Sequence, residues 1–168
     1  MLHYDVRKFT IKDLSIAGLI AAVYAVLSLV FQPISYGVYQ VRIAEALTLI
    51  PFLTPAAIPG LYIGCLLANI LGGMGWMDIL IGPLITLIAA FITYRISTLK
   101  NLNTAMLLIL APLPPVILNA IGVSAYLAPI IGVGFWFCVQ MIGIGQIVSC
   151  YVIGIPLLLI LRRRKIFG

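Results

Sequence analysis

Six long apolar stretches, almost free of charge, constrain this chain more than any other feature of its sequence. They run over residues 13–31, 41–54, 57–72, 78–96, 104–121 and 134–161. Each is continuous rather than alternating, which favours helices over the strands of a barrel. A water-soluble domain must cover such segments with polar surface, and this chain does not have it. Hydrophobic residues are 64% of the sequence and charged residues 8%, with a mean hydropathy of +1.24. Soluble domains are about 45–50% apolar and about 25% charged. Lipid is therefore the expected solvent. A span needs about 20 residues, so six fit within 168 residues and seven or eight would leave almost no connections. These numbers exclude a soluble enzyme, a nucleotide-binding domain and a secreted disulfide scaffold.

The formal charge of +6 does not point to nucleic acid, because the basic residues flank the apolar runs instead of forming a face. Arg7, Lys8 and Lys12 precede the first run, Arg95 ends and Lys100 follows the fourth, and Arg162, Arg163, Arg164 and Lys165 close the sixth. Positively charged loops stay in the cytoplasm. Only an even number of spans puts both charged ends there, leaving Arg42 at the outer side. The expectation is a single membrane domain over 1–168, all-α, with six transmembrane helices and both termini cytoplasmic. The first run is too long for a signal-peptide core and reads as an uncleaved helix. Cys65, Cys138 and Cys150 lie within apolar runs without C-x-x-C spacing and read as small buried hydrophobes. His3 is the lone histidine, and no metal or cofactor site is expected.

That topology gives each polar side chain a depth. Glu45, Asn69, Asp78, Asn119 and Gln140 fall in the outer half, with Gln146 nearer the midplane. The inner half holds little beyond Thr48, Thr86 and Ser149. This asymmetry describes a pocket open to the outside and closed below. Arg42 and Glu45, three apart, either pair with each other or face a ligand. Asp78 either caps the fourth helix or joins the pocket. The amides either tie helices together or contact a solute. Tyr36, Tyr39, Trp76, Tyr126, Phe135 and Trp136 lie in outer loops or first turns, where they form either an interfacial belt or a stacking surface. Ala17, Ala21 and Ala25 make a small-residue stripe on the first helix. Gly60, Gly64, Ala68 and Gly72 make another on the third, read as internal packing. No Walker motif, H-E-x-x-H or G-x-S-x-G is present, so the chain is not expected to be an enzyme or to bind ATP by itself.

The run Gln40-Val-Arg42-Ile-Ala-Glu45-Ala-Leu-Thr-Leu-Ile-Pro51 resembles the queuosine-precursor transporter (QueT) family. So do Ile58-Pro59-Gly60-Leu-Tyr-Ile-Gly64-Cys-Leu-Leu-Ala68-Asn69-Ile-Leu-Gly72 and Tyr151-Val-Ile-Gly154-Ile-Pro156. The resemblance implies a substrate-binding S component of an energy-coupling factor (ECF) transporter in a bacterial plasma membrane. Its partners would be a membrane T component, docked on an Ala-x-x-x-Ala surface matching Ala17 and Ala21 and extended by Ala25, and two cytoplasmic ATPases on separate chains. The implied substrate is a 7-deazaguanine base or queuine. Glu45 suits the paired N–H donors of a guanine-like edge, and Asn119, Asn69 or Gln140 the ring carbonyl. Asp78 suits a cationic aminomethyl tail, and Trp76, Tyr36 or Tyr126 a stacked ring. A stand-alone facilitator or an S component for another vitamin-like solute is the alternative, as is an accessory membrane protein whose polar residues only tie helices together.

Overall fold

The computed structural model describes residues 9–35, 41–99 and 103–167. Every regular element among them is helical: α1 (Ile11–Val30), α2 (Gln32–Ser35), a 3-10 helix (Ile43–Phe52), α3 (Ala57–Leu71), α4 (Trp76–Ser97), α5 (Thr104–Leu110), α6 (Leu113–Ile131), α7 (Phe135–Ile147), a π-helical segment (Val148–Gly154) and α8 (Ile155–Arg163). Three of the breaks do not end a rod. Thr104–Ile131 and Phe135–Arg163 are each one apolar rod, and together with Ile11–Val30 and Trp76–Ser97 they make four helices long enough to cross a membrane. Ala57–Leu71, with 15 residues, reaches only about 22 Å. The 3-10 helix, with 10 residues, reaches about 20 Å.

Local chemistry sets the boundaries. α1 begins in a capping box, in which Thr10 accepts from the Asp13 amide while the Asp13 carboxylate accepts from the Thr10 amide, satisfying two donors that the helix cannot pair itself. α6 extends to Ile131, ten residues past the expected end at 121. It stops where Gly132 enters the left-handed region at φ 71°, which glycine adopts without steric cost. The region around Tyr126, expected as an outer loop, is thus helix.

The 3-10 helix departs most from expectation. Such helices rarely exceed 3–4 residues, and this one has 10. Residues three apart eclipse one another along it, so Arg42 at its N-cap, Glu45 and Thr48 fall in one line, and all three are buried. It is enclosed by α1, α3, α4, the π-helical segment and α8. Ile20, Tyr24, Ala44, Leu47, Ile50, Leu61 and Cys65 form the core around it. On the outside, Leu19, Val26, Leu84, Ile88, Ile117, Ile144 and Val152 are exposed. A bundle with a sealed core and large apolar side chains on its periphery is suited to lipid, not water.

α1 and α3 make the closest approach. A Cβ on Gly60 would lie 2.5 Å from the Ala17 carbonyl oxygen, and one on Gly64 would lie 2.9 Å from the Ala21 carbonyl oxygen. The glycine stripe of α3 thus receives the alanine stripe of α1, and Ala17, Ala21 and Ala25 are buried. The stripe of Ala17, Ala21 and Ala25, expected as a docking surface, is thus covered by α3 in the isolated chain. The exposed small residues of α1 are Ser15, Gly18 and Ala22. Gly60→Ala is expected to force the helices apart and cost about 1–3 kcal/mol, as overpacking generally does. Thermal unfolding in detergent should show the loss, and an unchanged midpoint would mean that this interface yields easily.

Candidate functional site

The eclipsed line of the 3-10 helix points its polar groups into the centre of the bundle, where four other helices meet it. Glu45 is fully buried. Its Oε1 accepts from the Tyr24 hydroxyl of α1 at 2.5 Å, and its Oε2 accepts from the Asn119 Nδ2 of α6 at 3.3 Å. Arg42 donates from a terminal nitrogen to Asn69 Oδ1 of α3 at 2.5 Å, and its guanidinium carbon lies 5.9 Å from the Tyr24 ring centroid, within cation–π range. Asn69 Nδ2 donates onward to the Asp78 backbone carbonyl of α4 at 2.6 Å. Gly82 makes that approach possible, since a Cβ there would sit 2.9 Å from the same nitrogen. Asp78 is half-buried and accepts from the Tyr126 hydroxyl of α6 at 2.8 Å.

The inward side of Glu45 is closed by small polar contacts. The Thr48 hydroxyl donates to the Glu45 carbonyl at 2.6 Å. The Cys150 thiol lies 3.7 Å from that carbonyl and 3.8 Å from Gln146 Oε1. Gln146, the deepest amide expected, is therefore buried beside the cluster and linked to it through Cys150.

Of the expected site residues, Arg42, Glu45, Asn69, Asp78, Asn119 and Tyr126 form this connected set, with Gln146 at its inner edge. Gln140 does not join them. It is exposed on α7, whose inward face carries Cys138, Ile142, Gly145 and Gln146. Two residues from Cys138 is a rotation of about 200° on a helix, so Gln140 faces away from the cluster. Trp76 is 66% exposed at the start of α4 and lies outside the packed cluster, so its stacking role is not seen in this arrangement. Tyr36 falls outside the described residues. Among the described residues no three His, Cys, Asp or Glu side chains gather as a metal site requires.

Tyr24 is the main contributor that the sequence reading passed over. Its signal was a hydroxyl-bearing ring inside an alanine-rich helix, one turn from Ala21, on the face that packs inward.

A buried carboxylate and a buried guanidinium are costly unless their hydrogen-bonding capacity is met. Here amides and a phenol from separate helices meet part of it. A carboxylate offers about four lone-pair sites; Tyr24 and Asn119 use one on each oxygen, so Glu45 retains capacity for a further donor. Ionisable groups held inside a bundle of apolar helices, with partners drawn from several of them, define a multi-pass membrane protein of the type that handles a small polar solute. The match to known proteins narrows that class: the family described as QueT transporter matches residues 14–163, and the chain belongs to it. It is 32% identical over 84 residues to the queuosine precursor transporter QueT of Lactococcus lactis subsp. cremoris (strain MG1363), covering 49% of each chain. The chain thus matches about half the length of that curated relative. No solved structure matches it.

Proposed function

We propose that this chain is a substrate-binding S component that captures a queuosine precursor, a 7-deazaguanine base or queuine, from outside the cell. In this reading it passes the solute inward with a membrane T component and two cytoplasmic ATPases carried on other chains. The observation that carries it is the buried cluster of Arg42, Glu45, Asn69 and Asn119, continued outward by Asp78 and Tyr126. Glu45 would accept the paired donors of the base, Asn119 and Asn69 would adjust to its carbonyl, and Asp78 would neutralise a cationic tail. Calorimetry of the purified protein with a 7-deazaguanine base, beside guanine and an unrelated vitamin, tests the substrate. Saturable binding of the first alone is expected, and equal binding of all three would reject it.

The same reading holds six spans with both ends in the cytoplasm. The two short helices complete the count, and nine of the ten basic residues then lie inside. Cys65, Cys138 and Cys150 are buried and should stay silent to an impermeant thiol reagent. Gly75→Cys should react from outside intact cells, and Thr98→Cys only after permeabilisation. External labelling of both would overturn this topology.

A stand-alone facilitator is the second reading, favoured by one observation: α3 occupies the alanine stripe where a T component was expected to dock. Uptake by proteoliposomes lacking ATP and partner chains separates the two readings.

A further inference from the structure

The end of the chain carries a turn that its own residue preferences do not favour. α8 stops at Arg163, and the Lys165 amide donates to the Arg162 carbonyl at 3.2 Å while the Ile166 amide reaches back to Leu161 at 3.4 Å. This pair of bonds is a Schellman motif, whose left-handed position is usually glycine. Here it is Lys165, at φ 51°. The turn sends the chain back so that Phe167 packs against the core beside Leu161. Between them opens a groove of about 200 Å³ lined by Leu53, Leu161, Arg162, Lys165 and Phe167.

The lining is amphipathic in one direction: an apolar floor of three side chains and two cations at the rim, with no carboxylate among the described residues. It lies where the apolar run of α8 meets its charged end, the depth of lipid headgroups. A drug-sized ligand needs about 300–1,000 Å³, so the groove suits a phosphate and the first carbons attached to it. All four terminal cations are exposed, but only Arg162 and Lys165 line the groove, whereas an acidic protein surface would engage Arg163 and Arg164 equally. The α8 carbonyl end disfavours an anion, and four adjacent cations outweigh it. We propose that Arg162 and Lys165 hold the phosphate of an anionic phospholipid, with its glycerol and upper chain carbons on Leu53, Leu161 and Phe167.

Lys165→Gly tests this without threatening the fold, because glycine relieves the left-handed turn while removing the charge. The purified full chain would be titrated with phosphatidylglycerol, phosphatidylcholine and inorganic phosphate, and bound lipid counted by native mass spectrometry. Phosphatidylglycerol should bind in preference to the other two. Lys165→Gly should weaken it about fivefold, and adding Arg162→Gln about 30-fold, at about one basic residue's attraction each. The unfolding midpoint of Lys165→Gly should hold or rise. Arg163→Gln with Arg164→Gln should weaken it less than about twofold, as screened surface charges do. Equal loss in that control, equal binding of phosphatidylcholine, competition by inorganic phosphate as strong as by lipid, or retention of a co-purifying protein with no lipid would each overturn the proposal.

Discussion

Glu45→Gln is expected to lower the affinity for a deazaguanine base by at least about tenfold, or roughly 1.4 kcal/mol. The size follows from what the ligand would lose. Hydrogen bonds to a charged group contribute about 1.5–3 kcal/mol each, and a side-chain amide accepts at one oxygen while its nitrogen repels the base's own donors. The fold would be affected separately, because Glu45 accepts from Tyr24 and Asn119 within the buried cluster, and weakening hydrogen bonds to a charged group costs about 1.5–3 kcal/mol each. Tyr24→Phe distinguishes these effects. It removes the 2.5 Å bond to Glu45 Oε1 and leaves the carboxylate in place with one oxygen freed. If Glu45 receives the base, Tyr24→Phe should lower the unfolding midpoint while calorimetry shows affinity held or raised. If instead Glu45→Gln leaves the affinity unchanged, Glu45 is a structural residue that pins α1 and α6 to the 3-10 helix, and the substrate site lies nearer Asp78 and Tyr126.

The extent of the apolar helices was readable from the sequence, and direction around them only in part. The apolar runs located the other helical segments to within a few residues, but they missed α2 and the C-terminal end of α6. There the expected helix ended at 121, but apolar packing of Val123, Tyr126 and Ala128 against α7 and α4 sustains it to Ile131. Glu45, Asn69 and Asn119 are buried, because an amide or carboxylate within an apolar run has few alternatives to facing inward. Gln140 misled because a position near a helix start can face the interface without burial. The polar spacing of 42, 45 and 48 hinted at a three-residue repeat, but only packing against the elements that enclose it makes so long a 3-10 helix stable. Tyr24 was missed for a related reason: its phenol has meaning only once Glu45 is known to lie opposite it.

The alanine stripe shows the same difficulty on α1, and it leads to a test with opposite outcomes at adjacent residues. Ala21 is buried with its carbonyl oxygen against Gly64, whereas Ala22 is exposed one position further on. Consecutive helical residues differ by about 100° in direction, so a tryptophan at one enters the core and at the other enters lipid. Ala21→Trp has no room beside α3 and should separate α1 from α3, taking Tyr24 away from Glu45; loss of folded protein and of ligand binding together is expected. Ala22→Trp leaves that interface untouched, so the purified protein should keep its unfolding midpoint and near-normal affinity. If a T component packs on the exposed face of Ser15, Gly18 and Ala22, where small residues permit close backbone approach, Ala22→Trp should abolish uptake in cells and copurification of the T component. Uptake surviving in Ala22→Trp would remove that face as the docking surface and strengthen the self-sufficient carrier. Ala21→Trp that still folds and binds would mean that α1 can leave α3, and the stripe it now buries would then be free for a partner.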